Sequence, residues 1–210
     1  MKLVVFGATG GTGQALLEQA LGRGHEVTAA VRTPAKVSIT HNRLRVVQAD
    51  VTDAEAVSAA VRGQEAVLSA LGVSDFRPFA GATTVYSGGT HNILEAMKSA
   101  NVERFIGVTS AGVNADPNEP LLYRLLVKPL LRGPYRDMRR MEGEVRASGL
   151  AWTLVRPVRL TDGPKTGRYR VAPDHRPRAG RTISRADVAD FMLTTLERRD
   201  RIRHAVVLAY

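Results

Sequence analysis

Gly7-Ala8-Thr9-Gly10-Gly11-Thr12-Gly13 follows the apolar run Leu3 to Phe6 and opens a helical pattern. Glycine at such a turn lets the backbone approach a bound group closely. The helix behind it offers unpaired N–H groups and the positive end of its dipole. Together they suit a pyrophosphate. A glycine-rich turn with no ligand is the plainer reading, but a turn between an N-terminal strand and the first helix favours the ligand.

The next strand ends sharpen this. Sites for a dinucleotide with free ribose hydroxyls place an acid after the second strand, whereas an arginine there accommodates a 2′-phosphate. Here Val31 is followed by Arg32-Thr33-Pro34-Ala35-Lys36, with no acid, and Arg32 lies 19 residues after Gly13. Type and position favour NADP(H) over NAD(H), with Lys36 either assisting or solvated. Gln48-Ala49-Asp50-Val51 ends the third strand. Asp50 there either bonds the adenine amino group, with Val51 packed on the ring, or caps a helix. Leu71-Gly72 ends the fourth, where glycine lets the backbone come near a ribose.

The elements that must position these residues alternate. Strand-like runs at Leu3 to Phe6, Glu26 to Val31, Leu44 to Gln48, Ala66 to Leu71, Arg104 to Thr109, Trp152 to Arg156 and Ala205 to Ala209 are interleaved with helical patterns. The helices run through Thr12 to Arg23, Ala54 to Arg62 with Asp53 as N-cap, Asn92 to Ser99, Tyr135 to Ala147 and Ser184 to Leu196. This rhythm predicts an α/β fold: a Rossmann-like, doubly wound parallel sheet with helices on both faces. Residues 1–210 read as one domain, with a nucleotide-binding part to about residue 110 and a substrate-covering part after it. Arg159 to Arg181, rich in Gly, Pro and Arg, reads as long loops over a ligand site.

Composition excludes several classes. A chain of 210 residues can bury ~70% of its unfolded surface. It has no cysteine, so disulfides, thiolate nucleophiles, Fe–S clusters and cysteine-held zinc are absent. Five scattered histidines show no metal-ligand spacing, and no metal is expected. The net charge of +10 is uneven: Met1 to Ser110 holds 10 basic and 9 acidic residues, Ala111 to Tyr210 holds 20 and 11. No nucleic-acid module accompanies it, and aromatics are only 5%. No signal core or apolar stretch of ~20 residues is visible, so a cytoplasmic protein without stable membrane insertion is expected. Leu121 to Arg132 is the exception to this blandness. Arg124, Lys128 and Arg132 recur at i, i+4, i+8 beside a leucine face, which suits a lid over an apolar acceptor, a dimer contact or a membrane-surface helix.

FGATGGTG, VRTPAK, QADVTD, ALG, FIGVTSAGV, VRASGLAWTLVRPVRLTDGP and ISRADVADFML occur in the order seen in atypical short-chain dehydrogenase/reductases. Over nearly its whole length the chain resembles their NmrA-like NAD(P)H-binding group, and most of all the biliverdin-IXβ reductase/flavin reductase type. That resemblance implies a monomer or weak homodimer that binds NADPH and reduces flavins, quinones or tetrapyrroles, with FMN among the candidate acceptors. It implies that Ser110, in Val108-Thr109-Ser110-Ala111, lies beside the nicotinamide, unless it is only a turn serine. Pro157, Arg159 and Leu160 match the segment that passes under that ring, and Arg159 stands where reductases of the group can carry His. Typical short-chain enzymes use Tyr-x-x-x-Lys as the proton donor. Here Tyr135 begins Tyr-x-x-x-Arg, and Met138 occupies the usual lysine position counted back from Ser148-Gly149-Leu150. Hydride transfer to a flavin-like or quinone-like acceptor, with a proton from water, is the reading these residues support. A carbonyl reductase or sugar-type epimerase using Tyr135, and a non-catalytic NADP(H) sensor, are its rivals.

Overall fold

The structure, a computed structural model, describes residues 1–72, 83–114, 116, 117, 119, 121–173 and 175–210. β1 (Lys2–Phe6) is buried from Leu3 onward. Its alternate side chains enter two different cores. Leu3 and Val5 pack with Leu16, Leu17, Val188 and Met192, whereas Val4 and Phe6 pack with Val57, Ile93, Met97 and Met141. A strand buried on both faces must read as a continuous apolar run, which is why this one was legible.

The strands β1, β2 (Glu26–Val31), β3 (Leu44–Gln48), β4 (Ala66–Ser69), β5 (Arg104–Val108) and β6 (Ala151–Pro157) form most of one sheet. β7 (Arg159–Thr161) and β9 (Thr182–Ser184) form a parallel pair apart from it. β8 (Arg170–Ala172) and β10 (His204–Ala209) complete the eight-stranded sheet, in the order β3-β2-β1-β4-β5-β6-β10-β8. Every pairing is parallel except that of β8, which runs antiparallel to β10 at the edge. The helices α1 (Gly11–Gly22) and α5 (Arg185–Arg198) cover one face. α2 (Ala54–Val61), α3 (Val85–Ser99) and α4 (Arg132–Ala147) cover the other. This is a Rossmann-like fold. The order reverses between β1 and β4, and ligands of such sheets bind at the carboxyl ends of the strands there.

Three expectations need correction. α3 begins at Val85, well before Asn92. Ser87-Gly88-Gly89 resembles a helix breaker, but Gly89 lies so close to Val51 that a Cβ would stand 2.7 Å from Val51 Cγ2. The helix start is capped from α4: Asp137 accepts from Tyr86 N at 2.9 Å and Ser87 N at 3.2 Å. Second, Arg159 to Arg181 is not loop throughout, because it contains β7 and β8, each of three residues. Third, Arg124, Lys128 and Arg132 do not share one continuous helix. Tyr123–Val127 is wound more widely, with Lys128 N donating to Tyr123 O at 2.8 Å, and the chain turns through Pro129 before α4. Lys128 Nζ folds back onto Asn114 O and Glu119 Oε2, both at 3.0 Å. By contrast, Asp53 caps α2 as its type and position predicted, accepting from Glu55 N at 3.0 Å and Ala56 N at 3.1 Å.

Candidate active site at the carboxyl ends of the strands

The turn from β1 into α1 is built by glycine for two reasons. Gly7 has φ 74°, where other residues are strained, and a Cβ on it would strike the Ala70 carbonyl oxygen. A Cβ on Gly13 would strike the Gly7 carbonyl. The turn is thereby pressed against the end of β4. Gly10 is the N-cap of α1 with no side chain closing it, and Gly10 and Gly11 are exposed. The first-turn N–H groups of α1 are thus left for an outside acceptor, and a diphosphate fits this cradle.

Beside the cradle lies a cleft of about 480 Å³. Of the residues singled out from sequence, Gly10, Gly11, Thr12, Leu71, Gly72, Thr109, Ser110, Tyr135, Pro157 and Leu160 line it. Gly7 and Gly13 shape the turn beneath. Thr9, half-buried, offers its carbonyl to Gln14 Nε2 at 3.4 Å. Arg32 and Lys36 are exposed after β2, outside the cleft wall. Asp50 also lies outside it, with Oδ1 accepting from Thr52 N at 2.9 Å and Thr52 Oγ1 at 2.8 Å. These bonds from Thr52 hold its carboxyl below the usual range, and the charge of Arg32 adds to the effect. Val51 packs beneath Gly89 rather than lining the cleft, and Arg159 is exposed outside it.

Ser110, Tyr135, Thr109 and Met138 all line the cleft. Ser110 Oγ accepts from Gly112 N at 3.2 Å, so the hydroxyl does make a turn contact, but its own O–H stays available to donate. Tyr135 OH is hydrogen-bonded to Tyr123 OH. Burial, and then the bond to Tyr135, push the Tyr123 hydroxyl far above the ordinary tyrosine range, so it remains protonated. Arg139, the fourth residue after Tyr135, donates to Val113 O at 2.9 Å. Met138, at the usual lysine position, lines the cleft with its apolar side chain. Behind Ser110, Thr109 Oγ1 donates to Glu142 Oε1 at 2.8 Å, and Arg156 Nε donates to the same oxygen at 2.9 Å. This ion pair is buried, with Arg156 3% and Glu142 5% exposed, and it fixes the strand end that carries Ser110.

Sequence reasoning missed several lining residues. Leu131, Pro134 and Val158, together with Met138, add apolar surface, and Tyr86 and Arg185 also line the cleft. Arg185 is the first residue of α5, and its stem lies on the glycine turn: a Cβ on Gly11 would stand 2.6 Å from Arg185 Cδ. Its guanidinium pairs with the exposed Asp162. The only signal was its place in ISRADVADFML, where it reads as a helix-start residue.

A doubly wound sheet with an open glycine cradle at its switch point defines a dinucleotide-binding protein. The chain belongs to the NAD(P)H-binding family, whose sequence profile matches residues 7–199. It is 34% identical over 205 residues to an uncharacterised chloroplastic protein of Arabidopsis thaliana, covering 93% of this chain and 71% of that one. Among solved structures, a candidate NADH-flavin reductase of Streptococcus pneumoniae aligns with TM-score 0.77 and 27% identity, over 100% of this chain and 99% of that one. A candidate epimerase of Bacteroides thetaiotaomicron aligns with TM-score 0.81 and 29% identity, over 100% and 96%.

Proposed function

We propose that the protein is an NADPH-dependent reductase that passes hydride to a flavin-like or quinone-like acceptor, as in the biliverdin-IXβ/flavin reductase group its sequence resembles. The observation that carries this reading is the make-up of the cleft. Ser110, Thr109 and the glycine turn line it together with the apolar side chains of Leu131, Pro134, Met138 and Val158. An apolar slot with few polar groups suits a flat aromatic acceptor. NADPH would supply the hydride.

The chain's own residues would bind and orient. The α1 N–H groups, with Arg185, hold the diphosphate, and Arg32 meets the 2′-phosphate. The Ser110 O–H donates to the nicotinamide carboxamide or to an acceptor carbonyl. The apolar side chains of the lining would exclude water from the acceptor. Tyr135 hydrogen-bonds a neutral phenol, and Met138 replaces the ammonium that activates tyrosine in the common short-chain pattern. Protonation by solvent suits this arrangement, since flavins and quinones take a proton without a dedicated acid. The likeness to a candidate NADH-flavin reductase supports the same reading.

Tyr135 itself lines the cleft, and that keeps a second reading, carbonyl reduction or epimerisation with Tyr135 as proton donor. Two measurements decide. Steady NADPH oxidation with FMN or a soluble quinone is expected; tight NADPH binding with no turnover on any acceptor would instead make the protein a sensor. Tyr135→Phe should leave that turnover within about threefold. Collapse of turnover would establish Tyr135 as the acid.

A further inference from the structure

Among the described residues, the segment after Pro120 carries most of the exposed large apolar side chains. Of the large apolar side chains that stand exposed among the described residues, all but Met1 and Ile202 are Leu121, Leu122, Leu125, Leu126 and Val127. Leu122 is 72% exposed and Leu126 61%. Such a cluster is unusual on a surface that meets only water. It ends at the cleft, because Leu131 and Pro134 of the same stretch line the wall.

The exposed charges along this stretch are of one sign. Arg124, Arg132, Arg136, Arg139 and Arg140 are exposed, and Lys128 is tied to Glu119. The only acid from Leu121 to Met141 is Asp137, which is buried and already capping α3. Leucines on a wide-wound helical turn, rimmed by arginines, match the interface of an anionic bilayer, where apolar side chains enter the acyl boundary and cations meet phosphate headgroups. A second copy of this chain fits worse. A two-fold contact would set this arginine rim against itself, and juxtaposed like charges oppose association.

We propose that Leu121 to Val127, with the arginines of the start of α4, is a docking surface for an anionic lipid bilayer. Docking is peripheral: among the described residues no helix is long and apolar enough to cross a membrane. The cleft wall formed by Leu131 and Pro134 then lies beside the lipid. The proposal concerns the surface alone and holds whether or not the cleft catalyses hydride transfer.

Flotation with vesicles tests it. The full chain should bind phosphatidylglycerol-containing vesicles about tenfold or more tightly than pure phosphatidylcholine vesicles, and added salt should weaken that binding. Leu122→Glu with Leu126→Glu should reduce it by about tenfold or more while leaving the thermal melt and NADPH binding unchanged. Arg124→Glu with Arg132→Glu should do the same. Arg45→Glu with Arg62→Glu, exposed changes on β3 and after α2, should leave it unaltered. Failure of the native chain to bind, or equal loss in the Arg45/Arg62 control, would overturn the proposal. So would a native dimer that the leucine variant converts to monomer, because the patch would then serve self-association.

Discussion

Two arginines near the cradle answer to different parts of the proposed cofactor, which makes them separable one residue at a time. Arg32 follows β2, within electrostatic reach of Asp50, where the proposed 2′-phosphate would lie. Arg185 lies on Gly11, against the turn expected to hold the diphosphate common to both dinucleotides. A charge-assisted hydrogen bond contributes about 1.5–3 kcal/mol. Arg32→Ala should therefore weaken NADPH binding by about tenfold or more and leave NADH within about twofold. Arg185→Ala should weaken both by a similar factor. Titrations with the two cofactors check this, and equal loss of both on removing Arg32 would refute the 2′-phosphate assignment. Arg159 is exposed outside the cleft, so its removal should disturb cofactor binding less than removal of Arg185.

At the scale of elements, α3 depends on a cap it does not itself contain. Asp137, buried in α4, accepts from Tyr86 and Ser87 N–H at the first turn of α3. Asp137→Ala leaves those donors without that acceptor, and a buried unsatisfied group costs about 1–3 kcal/mol. Urea unfolding should show a loss of that order, with Asp137→Asn intermediate because one acceptor oxygen survives. A cap from 50 residues away also explains why the start of α3 was illegible in sequence, where Ser87-Gly88-Gly89 reads as a break. Most strands of the parallel sheet were legible for the opposite reason: β1, β2, β4, β5 and β6 are almost wholly buried, and burial on both faces writes such strands as largely apolar runs. β7 and β8 are too short to carry a period. The cleft divides in the same way. Its glycine turn and strand-end residues announced themselves by spacing, whereas Leu131, Pro134 and Arg185 belong to helix starts and approaches whose placement is set by packing between distant segments.

Across the whole molecule, the last third of the chain is joined by one carboxylate. Asp187, fully buried, accepts from Thr166 N and Gly167 N at 2.8 Å each, from Thr166 Oγ1 at 2.7 Å and from Tyr210 OH at 2.6 Å. It thereby ties α5, the segment before β8 and the residue after β10 together. Burial alone would raise its carboxyl, but the hydrogen bonds, led by that from Tyr210, outweigh burial and hold it below the usual range. A carboxyl lowered in the folded state stabilises the fold fully above its unfolded value, about 3.9, and that stabilisation is lost as pH falls through the folded value. The net charge of +10 acts in the same direction, because protonating acids on an already cationic chain adds self-repulsion. Unfolding free energy should therefore be flat near neutrality and drop below about pH 4. Asp187→Asn keeps one acceptor oxygen but loses the charge, and should destabilise by about 1–3 kcal/mol at pH 7. The gap to the native protein should then begin to narrow as the pH falls below about 3.9, because the unfolded carboxyl takes up a proton there before the native one does. Urea titrations of both proteins across that range check the sign. A gap that stayed constant down to pH 3 would mean that Asp187 acts through its shape and hydrogen bonds alone, and that its charge contributes nothing to holding the three segments together.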